Sequence, residues 1–267
     1  MILNDIAAAT QKRVEQRKLL RPPALVQAEV HTASIALPGH SMEPGRLFKE
    51  ALSTPEISFI CEIKRASPSK GLIAPDFPYL QIAKEYEDAG AAAVSVLTEP
   101  DFFMGSDDYL REIAGKSSIP ILRKDFTIDS YQIYEARLLG AHAVLLICSL
   151  LDEKTLSRFI EIVNDIKLTA IVETHNEREV KTALDAGARI IGVNNRDLET
   201  FDVDTSLSLR LRPLVPSNLI FVAESGIQNA DDVKALADAG VNAVLIGEAL
   251  MRSANKKAFL DTLRYKR

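Results

Sequence analysis

The segment DAGAAAVSVL (88–97) joins a helix end to an apolar, β-rich run, and three later segments repeat its pattern. They are LLGAHAVLLI (138–147), DAGARIIGVN (185–194) and DAGVNAVLIG (238–247). In each, a glycine suited to the position just past a helix end precedes the apolar run. Consecutive glycines are about fifty residues apart, which leaves room for one further strand and helix in each gap.

Strands that fill these gaps can be identified. They are SFICEIK (58–64), IPILRK (119–124), TAIVE (169–173) and NLIFVAE (218–224). Each contains the continuous apolar run required of a parallel strand that is buried on both faces. Eight strands alternating with eight helical patterns predict an α/β fold of the (β/α)8 TIM-barrel type. An open doubly wound sheet is the weaker alternative, because no G-x-G-x-x-G turn follows the first strand.

The first fifty residues fit no repeat. We predict a single barrel domain over residues 1–267, in which residues 1–50 form an N-terminal helical extension. The extension is expected to contain an amphipathic helix from about Asn4 to Leu20, a proline-containing connector RPPALV (21–26) and a short helix near GRLFKEAL (45–52). Its first helix has too little apolar surface to be stable alone and must dock on the barrel.

Composition excludes several classes of protein. The chain has 267 residues, is 47% hydrophobic and carries a formal net charge of -5, values typical of a folded chain with a substantial core. No apolar run approaches the roughly 18 residues of a membrane span, and no signal-peptide pattern opens the chain, so we expect a cytoplasmic protein. Mild acidity and scattered basic residues argue against nucleic acid as a partner. Cys61 and Cys148 are interpreted as core residues without metal-ligand spacing.

Charged residues occur at the ends of the four odd-numbered strands. Side chains alternate along a strand, so Glu62 and Lys64 point to one side while Cys61 and Ile63 point to the other. The other three odd strands end in Lys124, Glu173 and Glu224. Because one layer of inward side chains comes from alternate strands, we expect these charges to meet at the C-terminal mouth, where barrel enzymes hold their active sites.

Two simpler interpretations of these charges exist. They are solvated strand ends, or an ion-pair network that closes the barrel mouth. Four charged ends on alternating strands exceed what strand termination requires. The even strands show the contrast, because they end in the uncharged residues Thr98, Ser149, Asn194 and Gly247.

The loops after the last two strands suggest a phosphate site. Ser225 and Gly226 follow strand seven, and Asn229 is a plausible N-cap of the next helix. Gly247 directly precedes the helix after strand eight. Loops at these two positions, together with helix N-termini, form the usual phosphate site of this fold. Tight packing is the alternative reason for either glycine alone.

Five segments together resemble the indole-3-glycerol phosphate synthase family. They are EIKRASPSKG (62–71), LTEPDFFMGS (97–106), LRKDFTIDSYQIYEARLLGAHAVLLI (122–147), IGVNNRDLETF (191–201) and VAESGI (222–227). The resemblance implies a carboxy-lyase of tryptophan biosynthesis that acts without cofactor or metal. Its substrate would be 1-(2-carboxyphenylamino)-1-deoxyribulose 5-phosphate, converted to indole-3-glycerol phosphate, carbon dioxide and water.

The resemblance and the strand-end patterns together predict the site residues. The resemblance makes Lys124 the general acid and Glu173 the general base. The predicted catalytic residues are Lys124, Glu173, Lys64, Glu62, Asn194 and Glu224. The predicted substrate-binding residues are Ser67, Phe102, Phe126, Leu145, Arg196, Ser225, Gly226, Gly247 and Glu248. Departures from the family pattern at Cys61, Thr174 and Pro100 remove no catalytic residue.

Some questions stay open at the level of sequence. Burial and neighbouring cations lower a lysine pKa while carboxylates raise it, so the net direction for Lys64 and Lys124 is undecided. Another phosphosugar barrel, such as phosphoribosylanthranilate isomerase, and a non-catalytic phosphosugar-binding barrel are the alternative functions. A monomer is the default expectation, and the extension is expected over the C-terminal mouth, with a purely stabilising cap as the alternative. No role is assigned to the four histidines, which are His31, His40, His142 and His175.

Overall fold

The computed structural model describes residues 2–32 and 43–264, and its centre is a closed barrel of eight parallel strands. The strands are β1 (Ser58–Ile63), β2 (Ala93–Leu97), β3 (Ile121–Lys124), β4 (Ala143–Ile147), β5 (Thr169–Thr174), β6 (Ile190–Asn194), β7 (Ile220–Glu224) and β8 (Ala243–Ile246). Each strand pairs with the next along the chain, and β8 closes the barrel on β1. The predicted (β/α)8 fold is confirmed.

Helices connect the strands and surround the barrel. They are α1 (Ile2–Leu20), α2 (Pro23–Thr32), α3 (Pro44–Ala51), α4 (Tyr79–Asp88), α5 (Pro100–Phe103), α6 (Asp107–Ala114), α7 (Ser130–Leu138), α8 (Glu153–Asp165), α9 (Glu177–Asp185), α10 (Ser206–Leu211), α11 (Ala230–Asp238), α12 (Glu248–Arg252) and α13 (Lys256–Leu263). Two short 3-10 helices (148–150, 212–214) and a two-stranded hairpin (66–67, 71–72) complete the described structure. No helix within the described ranges is long and apolar enough to cross a membrane.

The N-terminal extension differs in detail from the prediction. Helix α1 begins at Ile2, before the expected Asn4, and it ends at Leu20 as expected. The predicted connector over residues 21–26 is wrong for most of its length, because α2 starts at Pro23. Proline is well tolerated in the first turn of a helix, where its missing N–H has no intrahelical partner to lose.

Alternation along the strands divides the core into two layers. Ile60, Leu122, Ile171 and Val222 belong to the cluster inside the barrel, whereas Cys61 and Ile63 belong to the cluster between strands and helices. Both cysteines are buried, as expected of core residues. The predicted opposite orientations of the pairs Glu62/Lys64 and Cys61/Ile63 follow from the same alternation.

The extension reaches both ends of the barrel. Phe48 and Leu52 are fully buried in the interior cluster. The Gly45 N–H donates to the carbonyl of Lys167, two residues before β5. Helix α3 therefore closes the N-terminal end of the barrel. At the opposite end, Ile6 of α1 joins the same interior cluster beside Phe126, which follows β3. The expectation that the extension covers the C-terminal mouth therefore holds for α1 and not for α3.

Candidate active site

Four ionisable side chains form one layer at the C-terminal end of the barrel interior. Ile60, Leu122, Ile171 and Val222 lie inside the barrel, and two residues further along each strand the interior side chains are Glu62, Lys124, Glu173 and Glu224. Following the paired residues from one odd-numbered strand to the next leads from each charged residue to a residue two positions before the next charged one. Because the strands are tilted in the barrel, this offset places the four charged side chains at one level. The member from β1 is thus Glu62, and Lys64 lies one step nearer the mouth.

Lys124 lies between two carboxylates. Its Nζ is 3.2 Å from Glu173 Oε2 and 3.6 Å from Glu224 Oε2. Lys64 Nζ donates to Glu62 Oε1 at 2.5 Å, and Asn194 Nδ2 donates to Glu173 Oε1 at 3.3 Å. The structure therefore brings together all six predicted catalytic side chains around one cavity.

The surroundings shift the pKa values of these groups in different directions. Burial lowers the pKa of Lys124, but the charges of Glu173 and Glu224 outweigh burial, so the net shift is upward and the ammonium persists. Burial raises the pKa of Glu173, but the charges of Lys124 and His175 outweigh burial, so this carboxylate stays ionised. Burial dominates at Glu224, whose pKa is raised to about 7.

The loop after β6 fixes a guanidinium at the cavity. Asn194 Oδ1 accepts a hydrogen bond from the Arg196 backbone N–H at 3.1 Å, and Arg196 Nη1 donates to the Phe201 carbonyl at 3.0 Å. Arg196 and Phe201 both line the cavity. A positive group is therefore held at the cavity by contacts within its own loop.

One side of the cavity is apolar. Phe126 and Leu145 line it, as predicted, and Phe103 packs against Phe126 with ring centroids 5.8 Å apart. Phe103 lines the cavity, whereas Phe102 does not and packs against the interior cluster, so its predicted role in substrate binding stays a prediction. Both aromatics lie on the single turn of α5, so neighbouring residues point in different directions. Helix α1 adds the apolar side chains Ile2, Leu3 and Ile6.

The loops at the opposite side hold the residues predicted to bind phosphate. Ser67, Ser225, Gly247 and Glu248 line the cavity. Gly226 is not among the lining residues, and its predicted contact with the phosphate stays a prediction. Its φ is +82°, and a Cβ there would lie 2.5 Å from Val203 Cγ1. The left-handed backbone conformation and the close approach of Val203 explain why this position is a glycine.

Gly247 is needed for the charged layer itself. A Cβ at this position would lie 2.4 Å from Glu62 Oε1 and 3.2 Å from Lys64 Nζ. Any larger residue would displace this ion pair, so tight packing is sufficient reason for the glycine.

Sequence reasoning missed one ionisable neighbour. His175 Nε2 lies 3.3 Å from Glu173 Oε1, although no role was assigned to this histidine. Its position two residues after Glu173, on the same side of the strand, was the available signal. His31 is exposed on α2, His142 Nδ1 accepts from the Ile121 backbone N–H at 3.1 Å, and His40 lies outside the described residues.

The cavity encloses about 1030 Å³ of empty space, part of it open to solvent. It combines buried acid–base groups, an apolar wall and fixed cations at the C-terminal mouth of the barrel, which defines an enzyme site for an anionic substrate with an apolar part. Within the ranges that the structure describes, no group of three or more His, Cys, Asp and Glu side chains is arranged to hold a metal ion.

Comparison with known proteins assigns the family. The family model described as indole-3-glycerol phosphate synthase matches residues 3–263. The chain is 54% identical over 264 residues to the indole-3-glycerol phosphate synthase of Ruminiclostridium cellulolyticum, covering 99% of both chains. It is 52% identical over 268 residues to that of Lachnoclostridium phytofermentans, again covering 99% of both. The chain belongs to the indole-3-glycerol phosphate synthase family, the carboxy-lyases of tryptophan biosynthesis that the sequence resemblance indicated.

Solved structures support the fold alone. The crystal structure of KGPDC from Streptococcus mutans superposes with a TM-score of 0.60 at 13% identity, covering 78% of this chain and 97% of that one. A second crystal structure of the same protein, determined as a complex with a ligand, gives a TM-score of 0.61 at 12% identity, with 78% and 95% covered.

Proposed function

We propose that this cavity binds 1-(2-carboxyphenylamino)-1-deoxyribulose 5-phosphate and converts it to indole-3-glycerol phosphate, with Lys124 as general acid and Glu173 as general base. The observation that carries the proposal is the placement of Lys124, a cation that is 15% exposed, lies 3.2 Å from Glu173 and faces a cavity with an aromatic wall. The family assignment supplies the substrate and the overall reaction.

Ring closure requires an electrophilic carbonyl. The aryl carbon that carries the carboxylate attacks the ribulose carbonyl carbon, and the Lys124 ammonium polarises the carbonyl oxygen and protonates it as the new carbon–carbon bond forms. The aryl carboxylate then leaves as carbon dioxide, and its bonding electrons restore the aromatic ring. The upward shift of the Lys124 pKa supports polarisation of the carbonyl, because the cation is present before the substrate binds.

Dehydration completes the indole. The hydroxyl formed from the carbonyl leaves as water after gaining a proton, and a proton is removed from the adjacent carbon of the new ring to form the double bond. Glu173 suits the removal because its carboxylate stays ionised, and Lys64 is assigned to the departing hydroxyl. Glu62 orients Lys64 through their 2.5 Å hydrogen bond, and Asn194 orients Glu173.

Substrate charge and shape are distributed over two sides of the cavity. Phe126, Phe103 and Leu145 form the wall for the aryl ring. Ser67, Ser225 and the loop at Gly247 receive the phosphate, while Lys64 and Arg196 provide local positive charge. Local charge is required because the chain has a formal net charge of -5, and a field from distant groups is screened within about 8 Å at physiological salt.

We place all 267 residues in one barrel domain, active as a cytoplasmic monomer without cofactor or metal. The closed barrel and the docking of α1 and α3 on its two ends support a single domain.

The first experiment is a fluorescence assay. Purified protein mixed with the carboxyphenylamino sugar phosphate should produce growing indole fluorescence, with one carbon dioxide released for each indole formed. A non-catalytic phosphosugar-binding barrel would bind the compound without fluorescence growth, and that outcome would refute the proposal.

A further inference from the structure

His175 lies behind Glu173 and outside the cavity lining. It follows the last residue of β5 and is two residues beyond Glu173, so both side chains lie on the same side of the strand. Its Nε2 is 3.3 Å from Glu173 Oε1, and its Nδ1 is 3.2 Å from Glu179 Oε2. Only 16% of the side chain is exposed. The imidazole ring is therefore enclosed between two carboxylates.

This geometry selects one protonation state of the ring. Ionised carboxylates only accept hydrogen bonds, whereas a neutral imidazole carries one N–H and one lone pair. In either neutral tautomer, one ring nitrogen would direct its lone pair at a carboxylate oxygen. The imidazolium carries an N–H on both nitrogens. Nδ1 can then donate to Glu179, while Nε2 lies in ionic contact with Glu173 Oε1 at 3.3 Å without hydrogen-bond geometry.

Glu179 is held in place to bind the ring. Its carboxylate accepts hydrogen bonds from the His175 backbone N–H at 2.9 Å and from Asn176 Nδ2 at 2.8 Å. Its own backbone N–H donates to Asn176 Oδ1 at 2.9 Å, which caps the start of α9. The ring is thus oriented by a carboxylate that is itself fixed from several directions.

Charged and titratable groups face His175 from the surrounding elements. Glu173 faces it from β5, Glu179 from α9, Glu224 from β7 and Asp197 from the loop after β6. Cys148, after β4, lies near the same two carboxylates, and burial raises the pKa of its thiol to about 12. Lys124 of β3 lies across Glu173. Burial lowers the His175 pKa, but hydrogen bonds and charges from Glu173 and Glu179 outweigh burial and raise it to about 10.

We propose that His175 is a positioning residue that remains an imidazolium, keeping the Glu173 carboxylate ionised and directing its second oxygen toward the substrate. Oε1 of Glu173 is occupied by His175 and Asn194, which leaves Oε2 facing Lys124 and the cavity. The inference rests on the proposed role of Glu173 as general base.

The kinetic test uses His175→Gln, which keeps a hydrogen-bond donor and removes the charge. Without a cation at 3.3 Å, the Glu173 pKa should rise toward the usual range of a glutamate. The acid limb of the kcat profile should therefore move to higher pH, while KM changes less than threefold because the ring does not line the cavity. His31→Gln, at an exposed histidine, is the matched control. An acid limb at the same pH in His175→Gln and in unaltered protein would overturn the proposal.

Glu179→Gln provides a readout that a merely structural role would not produce. Removing this carboxylate should lower the His175 pKa from about 10 by about one to three units. A new fall in kcat should then appear as pH rises through the lowered value. The double variant with His175→Gln should lack this fall, and Glu177→Gln, an exposed neighbour on α9, should show neither effect. A Glu179→Gln profile without the new alkaline fall would contradict the proposal.

Nitrogen NMR separates this inference from the proposed function. In protein with ¹⁵N-labelled histidine, the signals absent from His175→Gln should report two protonated ring nitrogens at about pH 7.5. A neutral ring at that pH would overturn the imidazolium regardless of activity. Retained turnover in Glu173→Gln would instead refute the general base, and would leave the NMR result unaffected.

Discussion

Replacing Lys124 by Met removes the ammonium while keeping the length of the side chain. Nζ lies 3.2 Å from Glu173 and 3.6 Å from Glu224, and the side chain is 15% exposed. The change leaves two buried carboxylates without the cation between them. Removing one partner of a buried ion pair costs about 3–5 kcal/mol of unfolding free energy. We expect the lower end, because Glu224, with a pKa of about 7, can take up a proton.

The effect on catalysis should exceed the effect on folding. Loss of a general acid together with its charge should lower kcat/KM by about two to four orders of magnitude, which corresponds to about 3–5 kcal/mol of transition-state stabilisation. Lys124→Arg separates the two contributions. Its guanidinium keeps the positive charge but does not release a proton near neutral pH, so it should recover less than about tenfold of the lost rate.

The assay is indole fluorescence growth with the carboxyphenylamino sugar phosphate, combined with circular dichroism and thermal melting to verify the fold. Lys181→Met is the matched control, because Lys181 is 76% exposed on α9 and pairs with Asp185 on the surface. Its activity and melting temperature should remain close to those of unaltered protein. Folded Lys124→Met with activity within threefold of unaltered protein would exclude Lys124 as the acid.

Three further predictions test other parts of the site. Glu173→Gln keeps shape and hydrogen bonding but deletes the base, so kcat should fall far more than affinity for a reduced substrate analogue; collapsed affinity with unchanged kcat would make Glu173 a binding residue. Ile6→Ala in the aryl wall should raise KM for the substrate and change binding of inorganic phosphate much less, and deletion of residues 1–32, which spares α3, should do the same. Leu19→Ala, at an 85% exposed position of α1, is the control and should change neither KM nor phosphate binding. Equal loss of both affinities would support a purely stabilising role for α1. The pKa of His175 is raised from about 6.5 in the unfolded state to about 10 in the folded state, so its contribution to the unfolding free energy is fully present below pH 6.5. The unfolding free energy should therefore fall as pH rises from about 6.5 to about 10. Urea titrations of His175→Gln should lack this dependence on pH.

The barrel was predictable from sequence because its signals are local. Glycine at each helix end and continuous apolar runs are properties of ten-residue segments such as 88–97, and their repetition defines the topology. Charged residues at alternating strand ends were equally readable, because barrel closure converts a position along a strand into a level inside the barrel.

Other features depended on how side chains point and where segments dock. An amphipathic pattern indicates that a helix must bury one face, but it does not indicate against which surface, so the placement of α1 and α3 at opposite ends required the fold. The single turn of α5 decided that Phe103, and not Phe102, faces the cavity. The steric fit of Gly226 against Val203, in a different loop, was likewise invisible in the sequence.

The electrostatics of the site were decided only by tertiary structure. The sequence by itself determined that Lys124, Glu173 and Glu224 would share the barrel mouth, because each ends an odd-numbered strand. It left the direction of the lysine pKa open, since burial and carboxylates act in opposite directions and the result depends on distances of about 3–4 Å between residues far apart in the chain. The ion pairs of His175 with Glu173 and Glu179 likewise depend on where β5 ends and α9 begins, and they became visible only once both elements were placed.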